Sequence, residues 1–156
     1  MSDIELKEKN IVTNRKALRD YEIIEKREAG IELRGTEVKS LRAGKVNLSD
    51  SYAIIENGEV ILRKLHISPF EMSARENHDP IRPRRLLLHK KEIRRLFSAT
   101  AEKGYTLIPL RLYFKGPRVK VELGTARGRR KYDKREKIAK READRSIERA
   151  HRQDMK

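Results

Sequence analysis

The feature that most constrains this chain is its last thirty residues, 127–156, where no apolar run is long enough for a core strand or helix. This tail holds 13 Lys and Arg against 6 Asp and Glu, and so carries +7 of the formal net charge of +15. The core must therefore come from the residues before it. Such a charge excess is typical of a segment that meets an acidic surface, although a merely solvated, disordered terminus could have the same composition.

A helical projection of the tail separates basic from apolar side chains. At 3.6 residues per turn, one arc of about 120° holds Lys134, Lys137, Arg141, Arg145, Arg149 and Arg152. The opposite side holds Ala139, Ala143, Ile147 and Ala150, too little apolar surface to dock on a core. Like charges four residues apart oppose an isolated helix. We therefore expect the tail to be disordered when free and helical against a polyanion.

The remaining composition narrows the class of protein. The chain has no cysteine, which excludes disulfides and zinc–thiolate sites. No apolar stretch approaches the roughly 18 residues of a membrane span, and residues 1–14 are charged, unlike a signal peptide. The tail also lacks the Trp, Phe or Leu of a membrane-surface helix. We expect a cytoplasmic protein that binds nucleic acid, with no membrane, cofactor, metal or small-molecule substrate.

Hairpin signals dominate residues 14–126. Two strand-like runs, 52–56 and 59–67, flank Asn57-Gly58, the dipeptide that suits a type I′ turn. A second hairpin is predicted from 105–114 and 119–123, with Val119, Val121 and Leu123 on one face and Lys120 opposite. An earlier strand is predicted from Tyr21 until Ala29-Gly30.

Two helices complete the predicted domain. Thr36 can cap a short helix that runs to Leu41 and stops before Gly44, and helical spacing over 86–103 predicts a longer one that stops at Gly104. Residues 68–85 read as a loop. We predict a mainly β, OB-type closed antiparallel barrel over 14–126, with two to three short helices, a flexible lead-in over 1–13 and the tail over 127–156.

The sequence offers little for catalysis. His78-Asp79 could be a general base with its orienting carboxylate, as in a ribonuclease, but adjacent side chains rarely point at one another and no second acid–base partner is evident. Aromatic residues are few and mostly follow strand or helix patterns, which favours recognition of folded RNA by shape and phosphate over single-strand stacking. Tyr132, isolated in the tail, is a candidate to stack on a base or is simply exposed.

Several blocks resemble the small protein B (SmpB) family of SsrA-RNA-binding proteins. The most specific are Gly35-Thr-Glu-Val-Lys-Ser-Leu-Arg and Asp133-Lys-Arg, with Asn14-Arg-Lys-Ala, Ser49-Asp-Ser-Tyr and His78-Asp-Pro-Ile-Arg-Pro-Arg-Arg in support. The resemblance covers about residues 14–152. It implies a barrel that binds the tRNA-like domain of transfer-messenger RNA and brings it to stalled ribosomes, where the tail enters the decoding centre and the empty messenger channel so that trans-translation begins.

The resemblance also implies site residues. Those that match the family's RNA-binding positions are Asn14, Glu28, Leu87 and Lys120. Glu28 would accept a hydrogen bond from a base or sugar or orient an Arg, unless it is a strand-end carboxylate paired with Arg27 or Lys26. Leu87 would cover a nucleobase or belong to the core. In the tail, we expect ribosome contacts from Tyr132, Asp133, Lys134, Arg135, Arg141 and Arg145.

Two alternatives to this adaptor function remain open on the residues alone. One is a general structured-RNA or ribosome-associated binding protein with a similar charge. The other is a ribonuclease that uses His78.

Overall fold

A computed structural model describes residues 7–70 and 77–128. In chain order the elements are β1 (Glu8–Thr13), α1 (Arg15–Asp20), β2 (Tyr21–Ile31), α2 (Gly35–Arg42), β3 (Val46–Asn47), β4 (Tyr52–Glu56), β5 (Glu59–Arg63), β6 (His66–Ile67), β7 (Arg84–Leu87), α3 (Lys90–Ala101), β8 (Thr106–Lys115) and β9 (Arg118–Gly128).

The strands surround a main apolar core, and a smaller cluster lies where α1 packs on β8 and β9. Hydrogen-bonded neighbours follow the order β8-β4-β5-β7-β2-β9, and β9 pairs again with β8, so the ladders return to their starting strand. Every described ladder is antiparallel. The β4–β8 junction is narrow, with Ala53 opposite Leu107, and β1 pairs with the other end of β8. The predicted mainly β, antiparallel fold is confirmed.

Alternation along the strands fills the interior. In β9, Val119, Val121 and Leu123 are buried while Lys120 lies on the other face, as predicted. The core also contains Val60, Leu62, Leu65, Ile67, Leu86, Leu96, Leu107 and Leu112. Within the described ranges, no helix is long and apolar enough to cross a bilayer.

The first hairpin follows the predicted chemistry. β4 ends at Glu56 and β5 begins at Glu59, and the two turn residues, Asn57 and Gly58, have φ angles of 49° and 74°. These positive angles are those of a type I′ turn, which Asn and Gly tolerate best. β5 ends at Arg63, earlier than predicted, and β6 pairs with β3 instead.

Several boundaries differ from the sequence predictions. The lead-in prediction for 1–13 is wrong at Glu8–Thr13, which forms β1 against β8. The short α1 was not predicted. β2 does not end at Ala29-Gly30, because it continues to Ile31 with ladders on both sides. Its partner β9 extends to Gly128, beyond the predicted end at Leu123.

The helices also differ. The N-cap of α2 is Arg34, whose backbone N–H donates to the Glu37 carboxylate, so Thr36 is not the cap and lies in the first turn. The predicted 86–103 helix divides into the last residues of β7 and the shorter α3, which is followed by Gly104 with a φ of 69°. Because β7 places Arg84 and Leu86 inside and Arg85 and Leu87 outside, it has a strand's alternation.

Candidate nucleic-acid interface

Three of the four implied RNA-binding residues in the barrel surround one surface depression. Gly30 in β2 lies opposite Leu87 of β7 on one side and Lys120 of β9 on the other, so the three form a row across three strands. Glu28, two residues earlier in β2, lies on the same face. These residues line a concavity of about 720 Å³ that also includes Arg118 and His89. We call it the Gly30 depression.

The floor of the depression depends on the absence of a side chain at residue 30. A Cβ on Gly30 would lie 3.1 Å from the Leu87 Cβ, so glycine lets Leu87 lie directly over the strand. Leu87 is 48% exposed, which shows that the core alternative for this residue is wrong. An exposed leucine beside a lysine offers an apolar contact and a cation within one binding surface.

Glu28 is held by two side chains of β8 that share its face of the sheet. Its Oε2 accepts a hydrogen bond from the Tyr113 hydroxyl at 2.5 Å, and both carboxylate oxygens accept from Lys115 Nζ at 3.2 Å. The Tyr113 hydrogen bond, opposed by partial burial and helped by Lys115, lowers the pKa of Glu28. Burial and this same hydrogen bond raise the pKa of Tyr113. The carboxylate is thus ionised and orients two side chains from β8.

The neighbours expected to pair with Glu28 have other partners. Arg27 contacts Glu25 at 2.8 Å and Glu92 at 3.5 Å, and Lys26 lies 3.7 Å from Glu122. The sequence interpretation of Glu28 as a partner of Arg27 or Lys26 is therefore wrong. Its actual partner Tyr113 is 85 residues away, and no local sequence signal pointed to it.

Lys120 gives the depression its positive side. Its side chain is on the face opposite Val119 and Val121, and within the described part of the chain no carboxylate is within ion-pair distance of it. Two acids also line the depression. Glu28 attracts Lys120 electrostatically but accepts its hydrogen bonds from Tyr113 and Lys115, and Glu92 is engaged by Arg27 and by the backbone N–H of His89. A phosphate could therefore approach Lys120 without displacing an existing ion pair.

Asn14 lies apart from this row and is almost fully buried. As the N-cap of α1, its Oδ1 accepts from the backbone N–H of Ala17 at 3.1 Å, and its Nδ2 donates to the carbonyls of Leu48 at 3.3 Å and Pro109 at 3.0 Å. These bonds join α1 to β8 and to the loop before β4. A direct RNA contact by Asn14 stays a prediction, while its framework role is evident in the structure.

A buried ionic cluster behind β7 was missed in the sequence. The Glu37 carboxylate in α2 accepts from Arg82 and from Arg84, and Arg84 also donates to the carbonyls of Leu65 and Pro80 at 2.6 and 3.1 Å. Burial opposes the charge of Glu37, but hydrogen bonds from Arg82, the Arg34 N–H and Arg84 outweigh it and lower its pKa. The cluster fixes the start of β7, three residues before Leu87.

His78 is part of the same framework. It is 4% exposed, its Nδ1 is 2.9 Å from the Thr36 hydroxyl and its Nε2 is 2.8 Å from the Ile67 carbonyl. The adjacent Asp79 accepts instead from the backbone N–H of Ile81. The pairing needed for a His78–Asp79 general base is therefore not formed. Across the described ranges, no group of three or more His, Asp or Glu side chains could hold a metal.

The six implied tail contacts, Tyr132, Asp133, Lys134, Arg135, Arg141 and Arg145, lie outside the described residues.

Comparison with known proteins gives consistent matches. Residues 11–153 match a sequence model of the family described as SmpB protein. The SsrA-binding protein of Carboxydothermus hydrogenoformans is 63% identical over 145 residues, covering 93% of this chain and 97% of that protein. The SsrA-binding protein of Geobacillus kaustophilus is 57% identical over 148 residues, covering 95% and 96%. A chain of the solved structure "tmRNA-SmpB: a journey to the center of the bacterial ribosome" superposes with a TM-score of 0.67 at 53% identity, covering 79% of this chain and 87% of that chain.

Proposed function

The chain belongs to the SmpB protein family, and from this premise we propose that it is a non-catalytic adaptor for transfer-messenger RNA. In this proposal the barrel binds the tRNA-like domain of that RNA and delivers it to stalled ribosomes in the cytoplasm for trans-translation. The observation that carries the proposal is the Gly30 depression, where Leu87, Gly30 and Lys120 lie in register across three strands. An exposed leucine suits a nucleobase, and a lysine that has no ion pair within the described residues suits the adjacent phosphate.

Three of the four matched positions have separate roles within this surface, and the fourth has a role in the framework. Leu87 covers the face of a base, and Lys120 contacts a phosphate. Glu28 acts through the side chains that it orients, Tyr113 and Lys115, because a carboxylate repels phosphate. Asn14 lies outside this surface and stabilises the barrel by fixing α1 to β8.

The first experiment measures binding of the isolated tRNA-like RNA at several salt concentrations. Phosphate contacts release counterions, so Lys120→Glu should weaken binding and reduce the salt slope by about one contact. Leu87→Asp should weaken binding chiefly by removing the apolar contact. Lys9→Glu, an equal charge change at an exposed residue of β1, is the matched control. Unchanged affinity of Lys120→Glu at physiological salt would contradict the assignment.

Two further measurements separate the adaptor from its alternatives. A general RNA-binding protein would hold unstructured RNA as tightly as the tRNA-like hairpin at matched salt, whereas the adaptor prefers the hairpin. A ribonuclease would cleave labelled RNA in a reaction that His78→Ala abolishes. We expect no such cleavage, because both ring nitrogens of His78 are engaged within the framework.

The tail supplies the ribosomal half of the proposed function. Its basic arc becomes useful when phosphates cancel the repulsion between side chains such as Arg141 and Arg145, so that folding is coupled to binding. Removing the residues after Gly128 retains all of β1 to β9, so the truncated protein should still bind the tRNA-like RNA. It should fail to support tagging of stalled peptides, because Asp133, Lys134 and Arg135 are lost. Normal tagging by this protein would contradict the division of labour.

A helix-breaking substitution tests the conditional helix more directly. Proline costs about 3 kcal/mol in a helix interior, so Ala143→Pro should spare RNA binding by the barrel but impair tagging. Circular dichroism of the isolated tail should indicate mainly coil at physiological salt. A stable free helix, or full tagging activity of Ala143→Pro, would show that the helix is not conditional.

A further inference from the structure

Helix α3 carries a charge pattern that its own folding does not explain. Four of its first six residues, Lys90, Lys91, Arg94 and Arg95, are basic and exposed, and its last turn has no basic residue. Cations at a helix N-terminus oppose the helix dipole. The four also form two like-charged pairs at a spacing of four residues, Lys90 with Arg94 and Lys91 with Arg95, and such pairs repel.

Neighbouring acids do not relieve this repulsion. Glu92, the acid in the first turn, turns away to contact Arg27 at 3.5 Å and the His89 N–H at 3.2 Å. Over residues 7–70 and 77–128, none of the four basic side chains forms an ion pair. The charge of this face is therefore available to an external anion.

An exposed aromatic ring lies beside these cations. Phe97 is 56% exposed, one turn after Arg94 and Ile93 on the helix. Together with Ile55 and the hairpin turn Asn57-Gly58, these residues line an open, mainly apolar groove of about 450 Å³. We call it the Phe97 groove. Arg94 lines the groove beside the ring, and Lys90 lies one turn before Arg94 on the same face of the helix. An aromatic ring next to cations is the combination that holds a nucleobase with its flanking phosphates.

We propose that the Phe97 groove is a second RNA-binding site, which takes an unstacked base of ribosomal RNA on Phe97 with the adjacent phosphates against Arg94 and Lys90. The groove and the Gly30 depression share no lining residue, and α3 separates them, with Glu92 on one side and Arg94 on the other. The two surfaces can therefore hold different RNAs at once. The identity of this RNA rests on the proposed function, in which the barrel brings one RNA to another.

The test uses the full-length protein and two binding measurements, one with the isolated tRNA-like RNA and one with purified small and large ribosomal subunits. Phe97→Ala and Arg94→Glu should each weaken binding to one subunit by at least about fivefold, the lower end for losing one stacked base. Both should bind the tRNA-like RNA within about twofold of the unaltered protein. Lys9→Glu, with the same charge change as Arg94→Glu, should leave subunit binding unaltered.

Further substitutions at Phe97 distinguish an RNA base in the groove from a protein contact. Phe97→Tyr keeps a ring and should retain subunit binding, while Phe97→Leu keeps only apolar bulk and should lose it. A photoreactive azidophenylalanine at position 97 should cross-link to ribosomal RNA. Full binding by Phe97→Leu, or cross-linking to a ribosomal protein instead, would overturn the proposal in favour of a protein contact.

Different outcomes would contradict the assignment of the Phe97 groove and that of the Gly30 depression. If Arg94→Glu and Phe97→Ala weaken binding of the tRNA-like RNA as much as Leu87→Asp does, the groove belongs to that RNA and the present inference is wrong. Subunit binding that is unaltered by both α3 changes would also overturn it. A failure of Leu87→Asp and Lys120→Glu to weaken tRNA-like RNA binding would instead count against the proposed function.

Discussion

Replacing Glu37 by glutamine should destabilise the barrel more than any comparable change on its surface. Glu37 is fully buried, and one carboxylate oxygen, Oε1, accepts from Arg82 Nη2 at 2.5 Å and from the Arg34 N–H at 2.8 Å. The other oxygen accepts from Arg84 Nε. Glutamine has the same shape, but its amide places a donor or a neutral acceptor where the charged oxygens were. The fully buried Arg84 then loses its counter-charge.

The size of the effect follows from burial. Breaking a buried ion pair by changing one partner costs about 3–5 kcal/mol, because the remaining charge stays in a poorly solvated site. Arg84 keeps its hydrogen bonds to the Leu65 and Pro80 carbonyls, so we expect about 3 kcal/mol. That is a large part of the roughly 5–15 kcal/mol by which domains are stable.

Urea denaturation followed by far-UV circular dichroism gives the measurement. The midpoint should fall for Glu37→Gln while the m-value is unchanged, because the folded state buries a similar surface. Glu59→Gln is the matched control, since its Arg85 partner is on the surface, with side chains 50% and 44% exposed. Such exposed pairs contribute about 0–1 kcal/mol. A loss below about 1 kcal/mol for Glu37→Gln would refute the reasoning.

The pH dependence provides an independent check. The folded-state pKa of Glu37 is lowered from its ordinary value of 4.5. Its contribution to stability is therefore fully present above that value and is lost as pH falls through the lowered pKa. Glutamine does not titrate, so the difference in unfolding free energy between the two proteins should be largest near neutral pH and shrink below about pH 4.5. A difference that grows on acidification would contradict the assignment.

Three further changes test the interface. Gly30→Ala places a Cβ 3.1 Å from the Leu87 Cβ, so Leu87 must move. The affinity for the tRNA-like RNA, measured by fluorescence anisotropy, should fall severalfold, and an unaltered affinity would show that the position of Leu87 is unimportant. Tyr113→Phe removes a hydrogen-bond donor to the ionised Glu28, whose side chain is 36% exposed. The free energy of unfolding, measured by urea denaturation, should fall by about 1 kcal/mol, and this difference should disappear below the pKa of Glu28. Asn14→Ala removes the N-cap of α1 and the donor to the carbonyls of Leu48 and Pro109. The free energy of unfolding, measured by thermal denaturation, should fall by about 2 kcal/mol, and a loss below about 0.5 kcal/mol would contradict the framework role of Asn14.

Local sequence chemistry explains which elements could be predicted. Asn57-Gly58 identified its hairpin because only a few residues tolerate positive φ at both turn positions. The alternation of Val119, Val121 and Leu123 placed Lys120 on the outer face of β9 for an equally local reason. In both cases, the information lies within a few residues.

The elements that were missed depend on distant partners. β1 is a short edge strand whose one ladder is with β8, about 100 residues further along the chain. β7 was divided between two wrong predictions: Arg84 and Arg85 fell in the predicted 68–85 loop, and Leu86 and Leu87 fell in the helix predicted from the spacing over 86–103. Its strand pattern is concealed further by Arg84, a charged residue on the buried face whose charge is balanced by Glu37 of α2. Tertiary context therefore determined these elements.

Three acidic residues are engaged by groups of the protein near the two proposed RNA surfaces. Glu28, Glu37 and Glu92 each accept hydrogen bonds from side chains or backbone groups of the domain, so their charge helps to orient side chains of β8 and β7 and the start of α3. Lys120 in β9 and Arg94 in α3, by contrast, have no ion-pair partner within the described residues. The carboxylates thus position the elements of both proposed RNA surfaces while the cations remain available to phosphate. A net charge of +15 alone would not have distinguished this arrangement from an evenly mixed surface.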